Sequence, residues 1–95
     1  MPRPEGTVEV TRTGPRLYRV QVGAGPSATT HQVEVPESYP ADLGLGTVPV
    51  EELVAASFAF LLEREPASSI LRSFRLDVIT RYFPEYPAEI AGYLG

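Results

Sequence analysis

The sequence predicts an α+β fold: a three-stranded antiparallel meander packed on one long helix, followed by short C-terminal helices. Three observations carry the prediction. Early segments alternate apolar and polar residues, the period-2 signature of half-buried strands. One later segment repeats apolar residues at helical spacing over several turns. Beyond it, prolines cut the chain into pieces long enough only for short helices. At 95 residues the chain reads as a single domain over 1–95, large enough for one modest core.

The first strand is expected at about 7–12, TVEVTR, and the second at about 17–22, LYRVQV. Thr13-Gly14-Pro15-Arg16 between them reads as a hairpin loop. Val8 and Val10 must share a face with Tyr18, Val20 and Val22, because a one-residue slip sends every valine to solvent. Val10 is therefore expected opposite Tyr18 or Val20. The third strand, about 30–35, THQVEV, puts His31, Val33 and Val35 on one parity and ends at Pro36.

The loop before it reads Gly23-Ala24-Gly25-Pro26-Ser27-Ala28, the letters of a G-x-G-x-x-A dinucleotide turn. That turn works by feeding a helix whose N-terminus meets the pyrophosphate. Here the following residues, Thr29 to Val35, have strand character, and no acidic residue stands near 45–48. No nucleotide cofactor is expected, and the segment reads as a Gly/Pro/Ser hairpin loop.

Residues 36–47 are rich in Pro, Ser, Asp and Gly and read as a loop. The helix is expected over 49–64. Pro49 suits its first position, and Glu51 and Glu52 suit the positive end of its dipole. Val50, Leu53, Val54, Phe58, Leu61 and Leu62 form its stripe, and Phe60, Ala55, Ala56 and Ala59 widen it. A helix apolar nearly all round is buried on more than one side. The second cover must be the C-terminal segment or another subunit, which raises a homodimer as one reading. Short helices follow at about 68–74, 77–83 and 87–94. Ser68 or Ser69 would cap the first and Asp77 the second, and Pro87 would open the last.

Composition excludes several chemistries. The chain has no cysteine, hence no disulfide framework and no thiolate metal site. Its only histidine is His31, too few for a zinc site. The longest uncharged apolar run, LVAASFAFLL, is half the length of about 20 residues that a membrane span needs. The start, MPRPEGTVEV, lacks the apolar region of a secretory signal. A cytoplasmic protein without membrane contact is expected. The formal net charge is −4, without the basic footprint of a nucleic-acid binder.

Two constellations remain. His31 suits a general base or a ligand pocket, and a Ser57–His31–Asp77 triad can be written on paper. No G-x-S-x-G elbow supports it. The plainer reading makes His31 a core-bordering residue and Ser57 a helical serine bonded back to the Leu53 carbonyl. The second constellation is 72–86, with Arg72, Arg75, Arg81, Phe74, Tyr82, Phe83 and Tyr86. The aromatics close the core, with each Arg paired to an acid, or they anchor a protein interface. A third reading stacks single-stranded bases on them. Phe60 joins Arg72, Arg75, Arg81, Tyr82 and Tyr86 as candidate interface residues.

The run 51–90, with its phrases FLLEREP, SIL and RYFPEYP, resembles the second half of small uncharacterised bacterial proteins. The resemblance implies a small stand-alone bacterial domain and brings no activity with it. From the residues, the expected function is a small non-catalytic interaction or regulatory module, homodimeric in one reading. The rivals are a ligand binder or enzyme with a pocket at His31 and Ser57, and an RNA-associated protein.

Overall fold

The computed structural model describes residues 8–23, 26 and 28–94. Three antiparallel strands come first: β1 (Val8–Arg12), β2 (Leu17–Val22) and β3 (Thr29–Glu34). Thr7, the expected strand start, and Ala24, Gly25 and Ser27 of the glycine loop lie outside the described residues. The register obeys the valine parity. Val8 opposes Val22, Val10 opposes Val20, and Tyr18 opposes Val33. Tyr18, Val20, Val22 and Val33 are buried, while Arg19, Gln21 and Gln32 face solvent. At the first turn, Arg12 donates to the carbonyls of Gly14 and Pro15 at 3.0 and 3.2 Å.

Two helices follow. The region expected as a loop contains a single turn, α1 (Tyr39–Asp42). The long helix, α2 (Val50–Leu62), is flanked by Pro49, which sits in the extended capping position at ψ 135 rather than inside the first turn.

The sheet is not a three-stranded meander. A fourth strand, β4 (Ser73–Arg75), pairs in parallel with β3, giving a mixed sheet of order β1-β2-β3-β4. The helix expected at 68–74 is therefore absent. Ala67–Ser69 make one 3₁₀ turn, and Ile70 is already extended at φ −75, ψ 134. A helix there would leave the outer edge of β3 unpaired. The extended chain instead gives the Gln32 N–H the Arg72 carbonyl at 2.7 Å, meeting the demand that buried ladder groups be bonded. It also brings Phe74 to 6.0 Å from Phe58, ring to ring.

The remaining expected helices are broken into single turns. Leu76–Val78 is 3₁₀ and leads into α3 (Ile79–Tyr82). Then α4 (Tyr86–Glu89) runs into a 3₁₀ turn at Ile90–Tyr93. The architecture is α+β, with a mixed four-stranded sheet on one side of α2 and these short turns on the other.

The breadth of the apolar stripe on α2 is thereby explained within one chain. Leu53, Val54, Ala56, Phe58, Phe60 and Leu61 are all buried. One side meets the valine face of the sheet, and the other meets the C-terminal turns. Phe60 lies at 5.8, 5.2 and 5.7 Å from the rings of Phe83, Tyr86 and Tyr93, each pair edge to face. That is the favoured aromatic geometry.

Candidate interaction surface

His31 is 1% exposed and fully engaged. Its Nδ1 lies 2.8 Å from the Leu71 carbonyl and its Nε2 lies 2.9 Å from the Thr29 hydroxyl. A carbonyl only accepts, so Nδ1 carries a proton, and in the neutral ring Nε2 accepts from the Thr29 hydroxyl. The ring also packs 5.3 Å from Phe58. The histidine thus ties β3 to the segment that enters β4.

Ser57 is turned elsewhere. Its hydroxyl donates to the Leu53 carbonyl at 2.7 Å, the back-bond expected of a helical serine. That uses its one hydrogen, so the Tyr86 hydroxyl, 2.6 Å away, donates to Ser57. Burial raises the Tyr86 phenol above its ordinary range, against the opposing hydrogen bond to Ser57. Asp77 binds Arg75 at 3.0 Å. The structure brings no Ser57–His31–Asp77 triad together, and neither His31 nor Ser57 lines either cavity described below.

The candidate interface residues divide. Phe60 and Tyr86 are both fully buried and offer no surface to a partner, because the C-terminal turns cover that side of α2. Arg75 is exposed and paired with Asp77. Arg72 and Arg81 are exposed without an ion pair among the described residues. Tyr82 is 66% exposed.

One residue not anticipated from sequence organises the covered side. Arg64 places its guanidinium 3.6 Å above the Phe60 ring centroid. It binds Glu85 at 3.2 Å and Glu89 at 3.1 Å, and donates to the Phe60 carbonyl at 3.1 Å. The Glu85 carboxyl is held below its usual range, first by its own backbone N–H and then by Arg64. The four-residue spacing of Arg64, just past the end of α2, from Phe60, and of Glu85, just before α4, from Glu89, was the available signal.

Beside this clasp the cover is incomplete. A cavity of about 340 Å³ opens between Leu61 and Glu65 at the end of α2, the Ser69–Leu71 segment, Phe74, and Val78, Ile79, Tyr82 and Phe83. Its walls are mainly apolar. A second, smaller hollow of about 270 Å³ lies on the outer face of the sheet, lined by Leu17, Gln32, Glu34, Ser73, Phe74 and Arg75. Phe74 is common to both. The large hydrophobic residues exposed among those described, Leu17, Leu71 and Tyr82, all line one hollow or the other. Sequence pattern assigned Leu71 to a helix and could not show that it stays exposed.

Among the described residues, no group of three or more His, Cys, Asp or Glu is placed to hold a metal. No helix there is long and apolar enough to cross a membrane. Comparison with family models, curated proteins and solved structures returned no match.

Proposed function

We propose that the chain is a small non-catalytic protein-interaction module whose working surface is the groove between the end of α2, Leu71 and α3. The observation that carries the reading is the clustering of exposed apolar side chains. Leu71 is 49% and Tyr82 66% exposed, both lining one apolar hollow, in a chain whose other large apolar residues are mostly covered. Soluble domains expose such patches where something binds. Tyr is also among the residues that carry binding energy at interfaces.

The test is capture from host lysate, treated with nuclease, using the wild-type chain and Leu71→Asp. A stoichiometric protein retained by the first and lost by the second supports the reading. Equal recovery with both, or recovery of the bait alone, overturns it.

A second reading has one observation in its favour. The groove's volume, about 340 Å³, falls in the range of small-molecule sites, roughly 300–1,000 Å³. An apolar ligand would then sit against Phe74 and Ile79 rather than at His31. Displacement of a groove-bound apolar dye by host metabolite extract, with no protein captured, would favour it.

A further inference from the structure

Resting on the interaction reading above, we propose that β4 is a docking edge: it takes an extended, basic and apolar peptide of a partner protein as a fifth strand. Four observations converge on it.

First, β4 is an edge strand, with β3 on one side and, among the described residues, no strand on the other. Gln32, opposite Ser73, donates its N–H to the Arg72 carbonyl. In a parallel ladder that bond turns the amide and carbonyl of Ser73 outward, to the open edge. Ser73 itself is exposed.

Second, the two hollows lie on opposite faces of this one strand. Phe74, paired with buried Val33, points to the inner face and the apolar groove. Ser73 and Arg75 border the outer hollow with Gln32 and Glu34. Alternate side chains of an added strand would fall into the two hollows in turn, the usual division of labour in strand addition.

Third, the opposite edge is treated differently. β1 carries the charged Glu9 and ends in Arg12, which folds back on its own turn. Charged edges resist pairing, and the one charge on β4, Arg75, is held by Asp77. The apolar exposure gathers at β4 instead.

Fourth, the charges left open at the two hollows are both acidic. Glu65 borders the groove and Glu34 the outer hollow. Neither has an ion pair among the described residues, whereas Arg75 is engaged by Asp77. A complementary strand carries Lys or Arg toward Glu34 and an apolar side chain toward Phe74, Leu71 and Tyr82. A second copy paired edge to edge would bring the same acidic linings together, its Arg72 and Arg81 standing beside the hollows rather than in them.

The test pans a phage-displayed library of random dodecapeptides on the full chain and titrates the recovered sequence by NMR. The expected peptides alternate apolar and basic residues, and their binding protects the Ser73 amide from solvent exchange. Methylating the peptide's central backbone nitrogen, or Ser73→Pro in a chain whose spectrum shows it folded, weakens binding about tenfold. Glu34→Gln and Glu65→Gln each weaken it about threefold. Peptides with helical spacing, or an unprotected Ser73 amide beside shifted Leu71 and Tyr82 signals, overturn strand addition and leave the interaction reading standing. A library with no binder sensitive to Leu71→Asp overturns both. Concentration-dependent dimers that protect Ser73 overturn the basic peptide and give the edge to a second copy.

Discussion

The C-terminal segment covers α2 twice, and the two covers are built to different standards. Residues 83–93 are locked down. Three aromatic rings surround Phe60, Arg64 binds two carboxylates above it, and Tyr86 reaches Ser57 inside the core. Residues 70–82 come from the same proline-punctuated stretch, yet leave a hollow against Leu61 with Leu71 and Tyr82 in solvent. Filling that hollow with a larger side chain would be a simple route to stability. The contrast separates residues that hold the fold from residues open to a partner, although the sequence places Tyr in both.

The largest expected effect is at the centre of the closed cover. Phe60→Ala removes the ring that four groups share and should cost about 3–5 kcal/mol. Small domains have only about 5–15 kcal/mol in total. Urea unfolding should show a much lower midpoint, and Phe60→Glu should fail to give a folded chain. A folded Phe60→Glu protein of unchanged midpoint would mean that the C-terminal turns do not cover α2.

Next comes Tyr86→Phe. It deletes one buried hydrogen bond and keeps the ring, for about 1 kcal/mol. In a domain of this size that lowers Tm by roughly 4–8 °C. The substitution also changes the response to alkali. The buried phenol resists ionisation, so its contribution is complete below the unfolded tyrosine value near 10 and is lost as pH rises above it. The wild-type chain should therefore lose stability above about pH 10 more steeply than Tyr86→Phe. Tyr39, also raised by burial, keeps some slope in both. Parallel pH curves would place Tyr86 in water.

A smaller, local effect is expected at Arg64. Arg64→Met keeps the stem over Phe60 and deletes the bonds to Glu85 and Glu89. Amide exchange at Ile90 and Tyr93 should quicken, while the sheet stays protected. Acid should act in the same direction on the wild type. Glu85 has a lowered carboxyl value, so its stabilisation is present above the ordinary glutamate range and is lost as pH falls. Unchanged exchange at both amides would make the clasp incidental.

The same contrast explains what was legible in advance. The strands β1 to β3, their register and the helix were readable because each repeats a period long enough to see. Val10 against Val20 follows from parity alone. β4 has three residues and no period, and its identity as a strand comes from β3's need for a partner, a tertiary fact. The two-sided burial of α2 was visible in its apolar breadth, but whether chain or subunit covered it was not. Ser57's bond to Leu53 follows from local geometry, whereas the Tyr86 bond it also receives spans 29 positions and left no mark. Exposure at Leu71 and Tyr82 is likewise set by where the neighbouring turns stop.

The smallest expected effect is the most discriminating. Leu71→Ser and Tyr82→Ala change side chains that are about half or more in water. Neither has a side-chain hydrogen bond to lose among the described residues, and little apolar area returns to solvent. Stability should therefore move by no more than about 0.5 kcal/mol for each. Partner capture should fall sharply for the pair. If the open cover were merely a loosely packed core, both variants would instead lower the urea midpoint in step with the volume removed, as Phe60→Ala does. A chain that keeps its midpoint and loses its partner shows that the open side of the C-terminal cover is held open for binding, and that stability resides in the other side.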